Sequence, residues 1–271
     1  MQELAAEQRA DGGWGGFHGV NTKLKQKIGT TEVAVERALA LGLEAGHPIL
    51  EKAASYLVRL LKKEIPFPDR AEKNNRWPVG ERLFVSSTLA LIQPEHPILD
   101  KERSLWLEIA RRTFQSGKYN AEDEIRAHEE LTGASVKDSY LVLSSKYQLA
   151  LLGSIPGALP PETRKALLKW LWNKPGGIGY LSEALAHPPP AGQSGRMDRW
   201  LASLELIGRF PSWRDFAAGA IQWLWERQTE SGLWDFGPRP ALLWHLPLSD
   251  TFRQPQRAFD WTTRVLILLQ L

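Results

Sequence analysis

Trp223-Leu224-Trp225-Glu226-Arg227-Gln228-Thr229-Glu230-Ser231-Gly232-Leu233-Trp234 is the stretch on which the reading of this chain turns. It closes a helical pattern, Ser212–Gln228, with Gln, three residues, Gly, one residue and Trp. The same spacing recurs at Gln8, Gly12 and Trp14. Residue frequencies give about 0.04 chance matches, so two copies are a repeat. Weaker copies stand at Gly117-Lys118-Tyr119 and Gly177-Ile178-Gly179-Tyr180, and Trp77 holds a comparable place. Each part of the motif has a physical role. Gly permits a tight turn after a helix. The Gln amide bonds backbone groups left open at the helix end. The Trp ring staples the turn to the next unit by burying a large apolar surface.

Working outward, helical patterns of two kinds alternate. One kind is amphipathic. Leu50, Ala53, Ala54, Leu57, Val58 and Leu61 form a single stripe, and the string His-Pro-Ile-Leu that opens it at His47 recurs at His96. Leu105, Trp106, Ile109 and Ala110 repeat the design, as do Pro161–Trp172 and Ser212–Gln228. The other kind, Thr31–Leu43, Glu81–Ile92, Asp138–Leu152, Asp198–Ile207 and Asp260–Leu271, is more evenly apolar, which marks helices buried on both sides. An acid stands at the head of each: Glu32, Glu81, Asp138, Asp198 and Asp260. Capping and the helix dipole account for acids there. No convincing period-two strand pattern occurs. The expected fold is therefore all-α: one domain over residues 1–271, an α/α toroid (barrel) with about five inner helices, four full outer helices and an N-terminal stub. An open helical solenoid is the alternative.

The Gln–Gly–Trp segments resemble the QW repeat of the terpenoid cyclase and protein prenyltransferase superfamily. Trp223–Trp234 matches the core of that repeat, without the upstream basic residue, and the alternating helices extend the resemblance along the chain. The resemblance implies a toroid whose inner helices enclose an apolar cavity, and a protein that binds or acts on an isoprenoid or another apolar small molecule. Cyclases of this superfamily protonate an alkene with an Asp-x-Asp-Asp motif, which is absent. The nearest stretch is Asp260-Trp261-Thr262-Thr263. On this reading Asp260 is the candidate acid, and Asp138, Tyr140, Asp198, Trp200, Trp261, Thr262 and Thr263 are the candidate cavity-lining residues.

Composition trims the options. The chain has 12 Trp, no Cys and a net charge of +3. Without Cys there is no thiol catalysis, and the Asp–Cys–His zinc site of prenyltransferases is missing. The mild charge, with no basic cluster, leaves no nucleic-acid footprint. Glu124 and His128 are spaced to share a helix face, but Glu122–Glu130 reads as a solvated charged loop, so no metal and no cofactor are expected. Met1–Ala10 lacks the apolar core of a signal peptide, no stretch suits a membrane span, and nothing supports peripheral membrane contact; a cytoplasmic protein is expected. Two other functions fit the same helices. One is a noncatalytic helical-repeat domain that binds a protein. The other is a glycan-active α/α barrel, in which paired carboxylates at the inner-helix heads would do the chemistry.

Overall fold

The computed structural model describes residues 1–19, 27–136, 140–238 and 255–270. Among these residues there are eleven α-helices and no strand. They are α1 (Gln2–Glu7), α2 (Thr31–Ala40), α3 (Pro48–Leu61), α4 (Trp77–Ile92), α5 (Asp100–Thr113), α6 (Ala121–Thr132), α7 (Lys146–Leu152), α8 (Pro161–Trp172), α9 (Ser194–Ile207), α10 (Arg214–Trp225) and α11 (Gln256–Gln270). No described helix is long and apolar enough to cross a membrane.

Local chemistry explains where several helices begin. In both His-Pro-Ile-Leu strings the histidine is a cap. The Nδ1 of His47 accepts the N–H of Ile49 at 3.3 Å, and the Nδ1 of His96 accepts that of Ile98 at 3.2 Å. Proline then fills a first-turn position whose N–H has no helical partner. Thr30 caps α2 through Val33, and Asn120 caps α6 through the N–H groups of Glu122 and Asp123. The acids expected at helix heads are not the caps. Glu32 is the second residue of α2, while Glu81, Asp198 and Asp260 lie one turn inside α4, α9 and α11. Those three helices start four residues earlier than the apolar pattern indicates. The third inner segment begins later: residues 140–145 form turns, and only Lys146–Leu152 is helical. There the N–H of Gly179 bonds the carbonyl of Ser144, so the chain pairs with a neighbouring turn before it coils. Asp138 lies outside the described residues.

Glu122–Glu130, expected as a solvated loop, is the body of α6. Its Glu124 and His128 are buried, with Ala127 beside them, so one face of an acidic helix enters the core.

The two sharp motif copies have one atomic design. Gln8 Nε2 donates to the Gly12 carbonyl at 2.9 Å, and Gln228 Nε2 to that of Gly232 at 2.8 Å. Both glycines have positive φ, +100° and +78°, which a side chain would strain. Trp14 and Trp234 are fully buried. Their indole N–H groups donate to the carbonyls of Leu4 and Leu224, each ten residues back. Their backbone N–H groups donate to Thr31 Oγ1 (3.0 Å) and Thr262 Oγ1 (2.9 Å) on the following helix. Each copy thus ties a helix end to the helix that follows.

One continuous apolar core runs from Leu4 to Leu268. Within it α4 packs against α3, α5 and α7; α7 also meets α5 and α9; and α9 meets α11. Tyr147 and Lys146 reach across from α7 to Glu32 and Glu36, which brings α2 to the same place. Arg264 of α11 pairs with Asp198 and Glu205 of α9.

Candidate functional site

The turn closed by Trp14 continues as Gly15-Gly16-Phe17-His18-Gly19. One side chain from far along the chain holds this loop. The Asp69 carboxylate accepts three successive backbone N–H groups, from Phe17 (2.7 Å), His18 (2.8 Å) and Gly19 (2.7 Å). Bonds to a charged acceptor are among the stronger ones in proteins. The loop closes so tightly on itself that a Cβ at Gly16 would lie 2.1 Å from the Gly19 carbonyl oxygen and 2.7 Å from Asp69. The result is a fixed backbone position for His18.

The His18 imidazole points at α2 and α7. Its Nδ1 lies 3.1 Å from Glu32 Oε2 and 2.7 Å from the Tyr147 hydroxyl, and that hydroxyl donates to the same Oε2 at 3.0 Å. A carboxylate oxygen only accepts, so the network assigns a proton to Nδ1, shared between Oε2 and the phenol oxygen. Nε2 has no hydrogen-bond partner among the described residues, and the His18 side chain is 28% exposed. The second carboxylate oxygen, Glu32 Oε1, is buried and also has no partner. Lys146, which is next to Tyr147 in sequence, is engaged with Glu36 at 3.3 Å.

Aromatic rings surround this cluster. His18 stacks on Phe84 of α4 at 4.6 Å and meets Tyr147 and Tyr180 edge-on at 5.6 Å each. Tyr147 and Tyr180 are 5.0 Å apart, and Tyr140 lies 5.5 Å from Phe84. Burial, reinforced by the charge of Glu32, pushes the phenols of Tyr147 and Tyr180 well above their ordinary range. Burial likewise pushes Tyr140 up to about 12, so all three are hydroxyl donors at neutral pH. Tyr180 has φ +71°, a conformation that costs a bulky residue on the order of 1–3 kcal/mol and that clusters at functional sites. The arrangement joins a carboxylate-oriented imidazole to an apolar wall, which equips it to bind a ligand and to move a proton at Nε2.

Of the candidate acid and cavity-lining residues that are described, only Tyr140 joins this cluster. Asp260 is buried in α11. Asp198 is buried and paired with Arg264. Trp200 is fully buried, packs on Trp223 and donates to the Leu185 carbonyl at 3.0 Å. Trp261 packs on Phe236 and donates to the Gly237 carbonyl at 3.0 Å. Thr262 is the partner of Trp234, and Thr263 is exposed. Glu124 and His128 form no metal site. The two carboxylate oxygens of Glu124 accept from the Leu143 N–H and the Tyr119 hydroxyl, and no cluster of three metal-ligating residues occurs among the described residues.

The sequence does not single out His18, Phe84, Tyr147 or Tyr180 as site residues, and it offers Glu32 only as one of the inner-helix acids of the glycan-active alternative. The signal lay in the register of the repeat. Gly16 bonds the start of α2, and Gly179 pairs in the same way with the start of α7. This pairing makes Glu32 and Tyr147 equivalent, each being the residue after the one whose N–H bonds the turn glycine. Compared with protein-family models, with curated proteins and with solved structures, the chain matches none.

Proposed function

We propose that the chain is a terpenoid-cyclase-like α/α toroid, one domain with α2, α4, α7, α9 and α11 as inner helices. On this reading it binds an apolar small molecule of the isoprenoid class at the centre those helices share. The observation that carries the proposal is the His18–Glu32–Tyr147 cluster, set among Phe84, Tyr140 and Tyr180 and contributed by three of the inner helices and three turns. Rings supply the apolar wall, and the partly exposed imidazole and Tyr180 make it reachable. The shared design of the Trp14 and Trp234 turns supports the repeat. The resemblance gives the acid's part to Asp260, whereas the geometry favours His18 and Glu32 as the groups that act on a ligand.

Farnesol titrated calorimetrically into the full chain tests this. Binding is expected, with a loss of about tenfold in Tyr180→Ala, the effect of removing one large aromatic contact. No binding, or binding unchanged in the variant, would overturn the assignment. A second reading, a helical domain that binds a protein partner, has one observation in its favour. Trp225 on α10 and Phe259, Leu266 and Ile267 on α11 are all more than two-fifths exposed.

A further inference from the structure

One outer helix departs from the others. α3 shows Lys52 and Arg59 to solvent, α5 shows Lys101 and Arg111, and α8 shows Lys165 and Lys169. α10 has no charge between Asp215 and Glu226. What it exposes there is Ala218, Gly219, Gln222 and Trp225, the last 48% exposed. Arg214, Ala218, Ile221, Gln222, Trp225 and Glu226 line an open groove along it.

Gly219 adds to the contrast. A glycine inside a helix costs up to about 1 kcal/mol relative to alanine. Nothing within this chain requires it, because a Cβ there would meet no atom within 4 Å. A second helix lying close across this face would use the room.

The charges at the two ends of the groove name the occupant. The Arg214 guanidinium donates to the Leu269 carbonyl (2.5 Å) and Glu226 accepts from the Gln222 amide (2.9 Å), and neither has an ion-pair partner among the described residues. Within one helix they stand about 18 Å apart, too far to pair with each other. A copy of α10 laid antiparallel across the first, with a two-fold axis at residue 220, sets each Arg214 opposite Glu226 of the other copy. The same register sets Ala218 against Gln222 and Gly219 against Ile221, small against large. A face that completes itself in this way is what a two-fold contact requires. A stable dimer takes about 800 Å² from each copy, more than one short helix face gives. The exposed Leu266 and Ile267 of α11, within one turn of the Leu269 that Arg214 binds, extend the apolar area at that end.

We propose that the chain forms a two-fold dimer through antiparallel α10 helices, with Ile221 and Trp225 covered at the contact and an Arg214–Glu226 ion pair across it at each end. α10 supplies no residue of the His18 cluster, so the dimer and the ligand assignment stand or fall separately.

Sedimentation equilibrium of the full chain at micromolar concentrations tests this, and twice the chain mass is expected. Arg214→Glu and Glu226→Arg each place like charges together at both ends of the contact and are expected to weaken dimerisation about tenfold or more. The double variant restores opposite charges and is expected to recover the parent's dimer. The two residues cannot pair within one chain, so recovery reads a contact between copies in this register. Gly219→Lys suits a helix and meets no atom of its own chain, and is expected to give a monomer with unchanged far-UV circular dichroism. A parent that is monomeric throughout overturns the proposal and leaves the face to a different partner. A dimer that survives Gly219→Lys, or a double variant no better than the single ones, overturns it as well.

Discussion

His128 shows what a single buried side chain does to this molecule. It is fully buried in α6 against Trp106, with ring centres 5.2 Å apart, and neither ring nitrogen has a hydrogen-bond partner. Burial lowers its pKa from 6.5 to about 3. The unfolded chain therefore takes up a proton between those values that the folded chain refuses. Stability is full above pH 6.5 and falls as the pH drops toward 3, by on the order of 4 kcal/mol for this group. Urea midpoints measured across that range should fall less steeply in His128→Leu than in the parent. Parallel curves would show that His128 is not buried neutral. The comparison separates it from Glu124, whose carboxyl is raised by burial and acts with the opposite sign.

The helices are joined by a small set of repeated bonds, and the Trp–Thr junction is the clearest. Thr31→Val and Thr262→Val each remove the acceptor of a buried tryptophan N–H and nearly preserve volume. Each should cost about 1–3 kcal/mol, the penalty for a stranded buried donor, and the two losses should be similar because the two junctions share one geometry. Thermal or chemical melts give both values; a loss at one junction alone would show that the copies are not equivalent. At this scale the sequence was most legible. Gln8, Gly12 and Trp14 announced the turn, and His47 and His96 marked helix starts. The periodicity located α3 and α8 well. What escaped was the position of the acids and the nature of 121–130. Glu81, Asp198 and Asp260 looked like helix heads because polar residues precede the apolar run, yet the coil extends a turn further back to include them. The acids of α6 masked its buried stripe, since Glu124 is satisfied only by groups distant in sequence or on a preceding turn. The site was hidden for the same reason. His18 gains its meaning from Asp69, Glu32 and Tyr147, 51, 14 and 129 residues away.

Across the whole molecule, buried ion pairs bind helix to helix. Arg264 joins α11 to α9 through Asp198 and Glu205. Arg264→Met removes the cation paired with the Asp198 carboxylate, which is 5% exposed, and should cost about 3–5 kcal/mol, the usual result of breaking a buried pair from one side. Adding Asp198→Asn should recover much of it, which a double-mutant cycle in chemical denaturation reads directly; simple additivity would refute the coupling. Because α9 also packs against α7, the helix that carries Tyr147, the single variant is expected to weaken farnesol binding as well as stability.

The seat of Asp69 has one more consequence, and it concerns time. Three adjacent amide hydrogens, those of Phe17, His18 and Gly19, are guarded by a single carboxylate that belongs to a segment about fifty residues away. They have no independent ways of opening. When that carboxylate lets go, all three become available to solvent in one event, so their deuterium uptake should share a single rate and a single response to denaturant. That rate is a clock for the loop that presents His18, and a ligand seated against the imidazole should slow all three hands together.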